Sequence, residues 1–298
     1  MEKIAASHLE HRRKQEEKHK LLVKNSDDLL SSLIAVELNT TELCNRTCSF
    51  CPRVDPKIYP NQNLHMNLVT AEKIARDLAD FSYKGRVTFS GYGEPLLNKT
   101  ILEIISIFRR FLPNNTLETN TNGDTLTPNK IKELFSAGLS YIFINLYDGE
   151  FQRKKFDEMM AEAGISSSFY NLRDHWVGEA LNFGLVLNNR SGMVDLKVDG
   201  SKNPEELRGS QCYLPFFKMM IDWDGNVIFC SNDWGRVNLI GNVHKSHVKD
   251  IWLSKEIQIF RDSLAKGDRD FAPCNTCNVV GTLHGKSSFD LLSNTNQK

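Results

Sequence analysis

An alternation of short apolar segments with amphipathic ones, which begins near residue 34, constrains the fold of this chain most strongly. Strands that alternate with helices predict βαβ units and a parallel sheet. The predicted strands cover residues 33–38, 86–90, 117–120 and 141–146, with weaker candidates at 166–172 and 184–187. The predicted helices cover residues 66–81, 101–111, 128–137 and 151–163, and Gly138 and Gly164 mark the ends of the last two.

The length of the alternating segment limits how many units it holds. At about 30 residues for each βα unit, residues 34–205 supply five or six units, too few for a complete eight-stranded barrel. We therefore predict an α/β fold: a partial (β/α)6 TIM-like barrel over residues 34–205 and a small C-terminal α+β domain over residues 206–298. Residues 1–33 are charged helix formers, which predicts a helical extension on the outside of the fold.

The charge balance and the termini exclude several classes of partner. The 298-residue chain carries 37 basic and 37 acidic residues, which gives no electrostatic footprint for nucleic acid or an anionic membrane surface. A membrane-spanning helix needs a run of about 18 apolar residues, which the sequence lacks. The N-terminal segment also lacks the apolar region of a signal peptide. We expect a cytoplasmic protein whose cysteines stay reduced and free to bind metal.

Three of the seven cysteines lie directly after the first predicted strand. Cys44, Cys48 and Cys51 form a C-x3-C-x2-C pattern, a density of thiols that suits zinc or an iron–sulfur cluster. A structural zinc ion needs a fourth ligand, and no further Cys or His occurs before His65. Three thiolates on a four-iron cluster would instead leave one iron open, as a reactive metal centre requires.

This loop resembles the cluster motif of the radical S-adenosylmethionine (SAM) superfamily, and residues 91–94 resemble the glycine-rich motif of the same family. The resemblance implies a [4Fe–4S] cluster whose open iron chelates SAM, with an aromatic side chain near the adenine and a carboxylate near the methionyl ammonium. The implied SAM contacts are Phe50, Gly91, Tyr92, Gly93, Glu94, Asn120, Asn122 and Asn145. The three asparagines are the implied ribose contacts, although Asn at a strand end also commonly caps a helix.

The remaining four cysteines lie in the C-terminal third of the chain, at Cys212, Cys230, Cys274 and Cys277. Their spacing by itself suits a four-thiolate zinc ribbon. Their surroundings resemble the SPASM domain in its shortened twitch form, with a Pro-Phe pair, an Asp-Gly hairpin, a Gly-Asn-Val segment and a Trp-bearing helix. The resemblance implies one auxiliary [4Fe–4S] cluster that is closed to substrate by its four thiolates and suited to electron transfer.

Together the two resemblances imply a radical SAM oxidoreductase of the aminocyclitol dehydrogenase type. SAM cleavage yields a 5′-deoxyadenosyl radical that abstracts hydrogen from an unactivated C–H bond, and a donor such as flavodoxin or ferredoxin supplies the electron. The first 33 residues are too few for a folded peptide-recognition domain, which favours a small polyhydroxylated substrate such as a sugar, an aminocyclitol or a nucleotide sugar. Two clusters also use all seven cysteines, so no thiol remains to return a hydrogen atom to the substrate.

Other functions remain open at this stage. A radical dehydratase, an epimerase or a peptide-modifying maturase would use the same motifs, and a metal-stapled binding scaffold is the non-enzymatic alternative. The catalytic candidates are Tyr147, Asp148 and Arg190, which follow later predicted strands. Arg173, Asn188 and Asn189 are candidates for binding substrate hydroxyl or phosphate groups.

Overall fold

The computed structural model of the chain describes residues 2–24, 26, 28–175, 188–195 and 202–295. Its strands are β1 Ala35–Leu38, β2 Arg86–Phe89, β3 Leu117–Thr121, β4 Tyr141–Leu146, β5 Tyr170–Asp174, β6 Lys218–Ile221, β7 Asn226–Ile228 and β8 Leu239–Asn242. Its α-helices are α1 Glu2–Lys24, α2 Leu68–Asp80, α3 Ile101–Phe111, α4 Pro128–Ser136, α5 Phe151–Glu162, α6 Leu214–Phe217, α7 Val248–Trp252, α8 Lys255–Ala265 and α9 Lys286–Thr295. The strands form one sheet in the order β5-β4-β3-β2-β1-β6-β7-β8.

The βα units predicted from the sequence are confirmed over β1 to β5. Helix α3 and strand β4 have the predicted bounds, because buried apolar residues repeat with a helical period in α3 and run continuously through β4. Gly138 and Gly164 follow α4 and α5 with φ angles of 115° and 76°, which glycine adopts without strain. The fifth strand begins later than predicted, because a short 3₁₀ helix occupies residues 167–169. The candidate strand at 184–187 lies outside the described residues.

The sixth parallel strand comes from the region expected to form the second domain. Strand β6 pairs in parallel with β1, with Ala35 opposite Lys218 and Leu38 opposite Ile221. The hairpin predicted around residues 224–226 is present: β7 pairs with β6 in antiparallel fashion, and β8 extends the sheet further. The partial (β/α)6 TIM-like barrel and the C-terminal module therefore share one continuous sheet.

The predicted N-terminal helix is present, and one side of it packs against the rest of the fold. His19 and Val23 on α1 are buried, and Gln15 donates a hydrogen bond of 3.1 Å to the buried carboxylate of Glu118 on β3. The helix therefore lies on the outside of the fold, with Lys20 and Leu21 exposed, and these buried contacts anchor it. Among the described helices, none is long and apolar enough to cross a membrane.

Candidate active site

The three cysteines after β1 are free thiols, each partly buried, and all three lie at the C-terminal edge of the parallel strands. Burial raises the pKa of each thiol, to about 12 for Cys48. The charge of Cys51 raises the pKa of Cys44 and Cys48 further, so the sulfurs are close enough to act on one another. Thiols that ionise so reluctantly become thiolates when a bound metal supplies positive charge.

The spacing of the sulfurs fits an iron–sulfur cluster better than a single ion. A tetrahedral zinc ion with Zn–S bonds of about 2.3 Å holds its sulfurs about 3.8 Å apart. A single ion would need three or more Cys, His, Asp or Glu side chains whose ligand atoms all lie close together. Within the described residues, only Asp77, Asp80 and His247 have ligand atoms that all lie within 4.8 Å of one another. No three cysteine sulfurs of either set meet that limit, and such a spacing suits the larger core of an iron–sulfur cluster better than one tetrahedral ion.

Arg46, between the first two cysteines, ties the loop to the ends of β3 and β4. Its guanidinium donates two hydrogen bonds of 2.6 Å to Asp124 and two of 2.7 Å to Asp148. The Arg46 hydrogen bonds hold the pKa of Asp148 below its usual range. Asp148, a predicted catalytic candidate, thus holds the cysteine loop in this structure.

An aromatic stack lies on the same side of the loop. The ring centroid of Phe50 is 6.0 Å from that of Tyr147 and 5.8 Å from that of His175, with nearly parallel planes. The three rings line a cavity of about 480 Å³ beside Cys48. Burial raises the pKa of the Tyr147 hydroxyl, which therefore stays protonated at neutral pH. The stack presents a planar apolar face of the kind that suits an adenine ring.

Residues 91–94 pack against the start of the cysteine loop. A side chain on Gly93 would lie 2.1 Å from the carbonyl oxygen of Thr41, and one on Gly91 would lie 2.7 Å from the Asn39 side chain. These contacts explain both glycines by packing inside the protein, independently of the predicted approach to SAM. Tyr92 is buried, and its hydroxyl donates to the carbonyl oxygen of Asp233.

The Glu94 carboxylate is buried between β2 and β3. It accepts hydrogen bonds from the Thr121 hydroxyl and from the backbone N–H groups of Asn122 and Leu96, at 2.6, 2.8 and 3.2 Å. Burial raises its pKa to about 7 against the effect of these donors. A carboxylate has about four acceptor positions, so one remains for a cationic ligand.

The predicted ribose contacts all have protein partners. The Asn122 amide donates to Asn45 in the cysteine loop at 2.8 Å, and the Asn145 oxygen lies 3.1 Å from Nε2 of His175. Asn120 accepts a hydrogen bond of 2.6 Å from Arg173. Asn122 and Asn145 therefore lie beside the cysteine loop and the aromatic stack, where the predicted SAM contacts would be.

The four C-terminal cysteines also come together as free thiols. Burial raises the pKa of Cys212 to about 11 and of Cys230 to about 12, and nearby thiols add to the effect in both. Cys274 follows the same direction, with contributions from the other three thiols. The backbone N–H groups of Asn232 and Val279 each lie 3.5 Å from a cysteine sulfur, those of Cys230 and Cys277. Hydrogen bonds to sulfur are among the features that set the potentials of iron–sulfur clusters.

A second cavity of about 340 Å³ lies between the two cysteine sets. Gly91 of the glycine-rich segment lines one side, whereas Ser231 and Asn232, next to Cys230, line another. The polar side chains that line it are Glu37, Asn188, Arg190, Lys218, Ser231 and Asn232. A molecule in this cavity would contact both the SAM motif and the surroundings of the auxiliary cysteines.

Two charged side chains of this cavity, Glu37 and Arg190, differ in how far they are paired. Glu37 accepts hydrogen bonds from Ser90 at 2.6 Å and from Lys218 at 2.7 Å. Burial tends to raise the Glu37 pKa, but Lys218, Ser90 and Arg86 together outweigh it and the net pKa is lowered. Arg190 lies 5.9 Å above the Trp234 ring; among the described residues it has no ion pair, and its buried Nε lacks a hydrogen-bond partner. The cavity thus offers an ionised carboxylate and a guanidinium whose Nε has no partner in the described part of the chain.

Of the three predicted catalytic candidates, Arg190 lines this cavity, whereas Tyr147 and Asp148 line the first one. Asn188 also lines it, but the Asn189 side chain donates to the carbonyl oxygen of Thr276 and supports the loop. Sequence reasoning missed Glu37 and Lys218. Their signal was a charged residue within each of two otherwise apolar strands.

The two segments that carry the cysteine sets match known protein families. Residues 38–164 match the Radical SAM superfamily, and residues 212–278 match SPASM, an iron–sulfur cluster-binding domain. The S-adenosyl-L-methionine-dependent 2-deoxy-scyllo-inosamine dehydrogenase of Niallia circulans is 28% identical over 268 residues, which cover 89% of this chain and 99% of that protein. GTP 3',8-cyclase of Clostridium perfringens (strain SM101 / Type A) is 24% identical over 177 residues, which cover 58% of this chain and 53% of that protein.

Solved structures agree with these matches. The crystal structure of BtrN in complex with AdoMet and 2-DOIA has a TM-score of 0.70 and 26% identity, and the alignment covers 83% of this chain and 94% of that one. Native anSMEcpe with bound AdoMet has a TM-score of 0.53 and 11% identity, covering 89% and 99%, a likeness that shows the fold alone. The chain is therefore a radical SAM enzyme with a C-terminal SPASM domain, which uses SAM, a [4Fe–4S] cluster and a further iron–sulfur cluster.

Proposed function

We propose that this enzyme oxidises a secondary alcohol on a small aminocyclitol-like ring, and that the ring binds in the cavity between the two cysteine sets. When bound, SAM and its cluster supply the radical that removes a hydrogen atom from carbon. The relative from Niallia circulans is named as a dehydrogenase of 2-deoxy-scyllo-inosamine. That name supports an aminocyclitol substrate, and the chemistry of the cavity supports it independently.

The observation that carries the proposal is the position of the cavity. Its lining includes Gly91 from the SAM motif and Ser231 and Asn232, which follow Cys230. Oxidation of an alcohol to a ketone removes one hydrogen atom from carbon, and then one proton and one electron. A substrate in this cavity would lie beside the source of the radical and beside the cluster that accepts the electron.

The polar groups of the cavity suit a ring with hydroxyl and amino groups. Glu37 is ionised at neutral pH and retains acceptor positions for an ammonium or hydroxyl group, because each carboxylate oxygen has two lone pairs. The Nε of Arg190 has no partner among the residues that the structure describes, and it can donate to the oxygen at which the carbonyl forms. We assign substrate orientation to these two residues, with Lys218 holding the Glu37 carboxylate in place.

Two features weigh against the rival functions. A cavity of about 340 Å³ is near the lower end of the usual range for ligand pockets, which favours a single small ring over a peptide. A radical epimerase that uses a cysteine thiol to return a hydrogen atom to the substrate needs a cysteine outside the clusters. All seven cysteines belong to the two sets, so none is free for that task. A radical dehydratase needs no such hydrogen-atom donor, so only analysis of the product separates dehydration from oxidation.

The test is a substrate screen with reconstituted enzyme under anaerobic conditions. Purified enzyme is incubated with SAM, a one-electron donor, and a panel of aminocyclitols, cyclitols, sugars and short peptides. We expect an aminocyclitol to yield a ketone and to stimulate release of 5′-deoxyadenosine. An enzyme that ignores the ring compounds and modifies a peptide would overturn the proposed substrate class while leaving the radical SAM assignment intact.

A further inference from the structure

Arg269, in the loop after α8, is buried with 4% of its surface exposed, and it contacts no substrate cavity described above. Its guanidinium donates four hydrogen bonds, all to backbone carbonyl oxygens. Two acceptors, Ser210 and Gln211, directly precede Cys212, at 2.9 Å each. The other two, Val279 and Val280, follow Cys277 closely, at 2.8 Å each. One side chain therefore joins two of the segments that carry cluster ligands.

A second contact shows how closely these segments are packed. The backbone N–H of Tyr213 donates to the carbonyl oxygen of Gly281 at 2.9 Å. A side chain at Gly281 would lie 2.3 Å from the Cys212 sulfur. The position of residues 279–281 thus fixes the surroundings of Cys212, and Arg269 holds that position through its hydrogen bonds to Val279 and Val280.

The charge of Arg269 also lies close to the ligand segments. Within the described residues no carboxylate forms an ion pair with Arg269, and its guanidinium lies against the backbone next to Cys212 and close after Cys277. A cluster becomes more negative when it accepts an electron. A fixed positive charge beside it therefore favours the reduced state and raises the reduction potential.

We propose that Arg269 is a positioning residue for the auxiliary cluster: it holds the Cys212 and Cys277 segments together and raises the reduction potential of the cluster by its charge. The proposal goes beyond the proposed function, because it holds whichever substrate the enzyme oxidises. It requires two separable effects, one from the hydrogen bonds and one from the charge.

The chain provides a matched control in Arg109. Its guanidinium also donates to backbone carbonyl oxygens, those of Leu112, Pro113, Asn115 and Gly138, but these lie beside α3 and carry no cysteine. Substitution of Arg109 should cost stability through the same kind of contact. It should leave both effects on the auxiliary cluster unchanged.

The experiment uses the full chain with Cys44, Cys48 and Cys51 replaced by alanine, so that the auxiliary cluster alone gives the EPR signal. Into it are introduced R269K, R269Q, R109K and R109Q. The midpoint potential is measured by redox titration, and the rate of iron release is measured with a chelator. R269Q should lower the potential, whereas R269K should keep it. Both Arg269 variants should release iron about tenfold faster, because charge-assisted hydrogen bonds are lost. The Arg109 variants should match the parent in both measurements.

Several outcomes would overturn the proposal. If R269Q keeps the parent potential, or R109Q shifts it equally, the charge has no specific role. If R269Q retains no cluster, R269K decides: iron release no faster than in R109K refutes the positioning role. Hydrogen exchange on the metal-free chain adds a test without any cluster. Amides of residues 210–212 and 279–281 should lose protection in R269K but not in R109K. Equal protection of these amides in the two variants would count against the positioning role of Arg269.

Discussion

Replacement of Glu37 by glutamine tests the substrate cavity most specifically. The Glu37 carboxylate is 16% exposed and accepts from Ser90 and Lys218, so each of its oxygens has one acceptor position left for substrate. Glutamine keeps the shape but replaces one oxygen by a donor and removes the charge. Loss of one charge-assisted hydrogen bond costs about 1.5–3 kcal/mol, which lowers kcat/KM for product about 10-fold to 150-fold.

The assay compares product formation with SAM cleavage in the absence of substrate. We expect E37Q to lose kcat/KM for product and to keep the uncoupled release of 5′-deoxyadenosine, because Glu37 is absent from the lining of the cavity beside the Cys48 loop. The control is E118Q: Glu118 is a fully buried carboxylate on β3 that accepts from Thr88 at 2.9 Å and lines neither cavity. E118Q should lower Tm but keep kcat/KM in the folded enzyme. Equal losses in both variants, or none in E37Q, would refute the role of Glu37.

Three further predictions concern the cofactor sites. Cys274→Ala should leave SAM cleavage but abolish product formation, whereas Cys48→Ala should abolish SAM cleavage. Quantification of 5′-deoxyadenosine and of product checks both expectations. Normal turnover by a folded Cys274→Ala enzyme without its auxiliary cluster would rule out electron transfer to that cluster. Arg46→Ala should lower the iron content of the first cluster. It should also cost about 1 kcal/mol of unfolding free energy, since the ion pairs of Arg46 are partly exposed. Iron analysis and denaturation measure the two effects, and an unchanged iron content would contradict the role of Arg46. Burial raises the Glu94 pKa from 4.5 to about 7, so the carboxylate forms as the pH rises through that value. SAM should therefore bind more tightly above pH 7 than below it, and equilibrium binding at several pH values should show this dependence disappear in E94Q.

The sequence predicted the features that depend on local pattern. Apolar periodicity predicted α3 and β4 with their observed bounds, and Gly138 and Gly164 marked where helices end. The spacing of the two cysteine sets separated the cofactor-binding modules before any geometry was known. These signals lie within a few residues of one another, so they need no knowledge of how distant segments pair.

Features that depend on long-range register could not be predicted. Glu37 and Lys218 pair because β6 lies beside β1, although 181 residues separate them along the chain. The contact of Gln15 with buried Glu118 likewise depends on where α1 packs. Asp148 resembled a catalytic group by its position at a strand end, and only the structure shows that Arg46 holds it. For Glu37 and Lys218, a charged residue in an apolar strand was the available hint, whereas Arg190 and Asn188 of the same cavity were candidates from the sequence.

Hydrogen abstraction from a carbinol carbon in the cavity between the cysteine sets should lead to a ketone. The most direct measurement uses an aminocyclitol deuterated at that carbon, with mass spectrometry of both products. We expect deuterium in 5′-deoxyadenosine, one molecule of 5′-deoxyadenosine for each product molecule, and a product lighter than the substrate by the deuterium and one hydrogen. Loss of a water molecule would indicate dehydration, and an otherwise intact product with hydrogen from solvent at that carbon would indicate epimerisation. Either result would contradict the proposed oxidation.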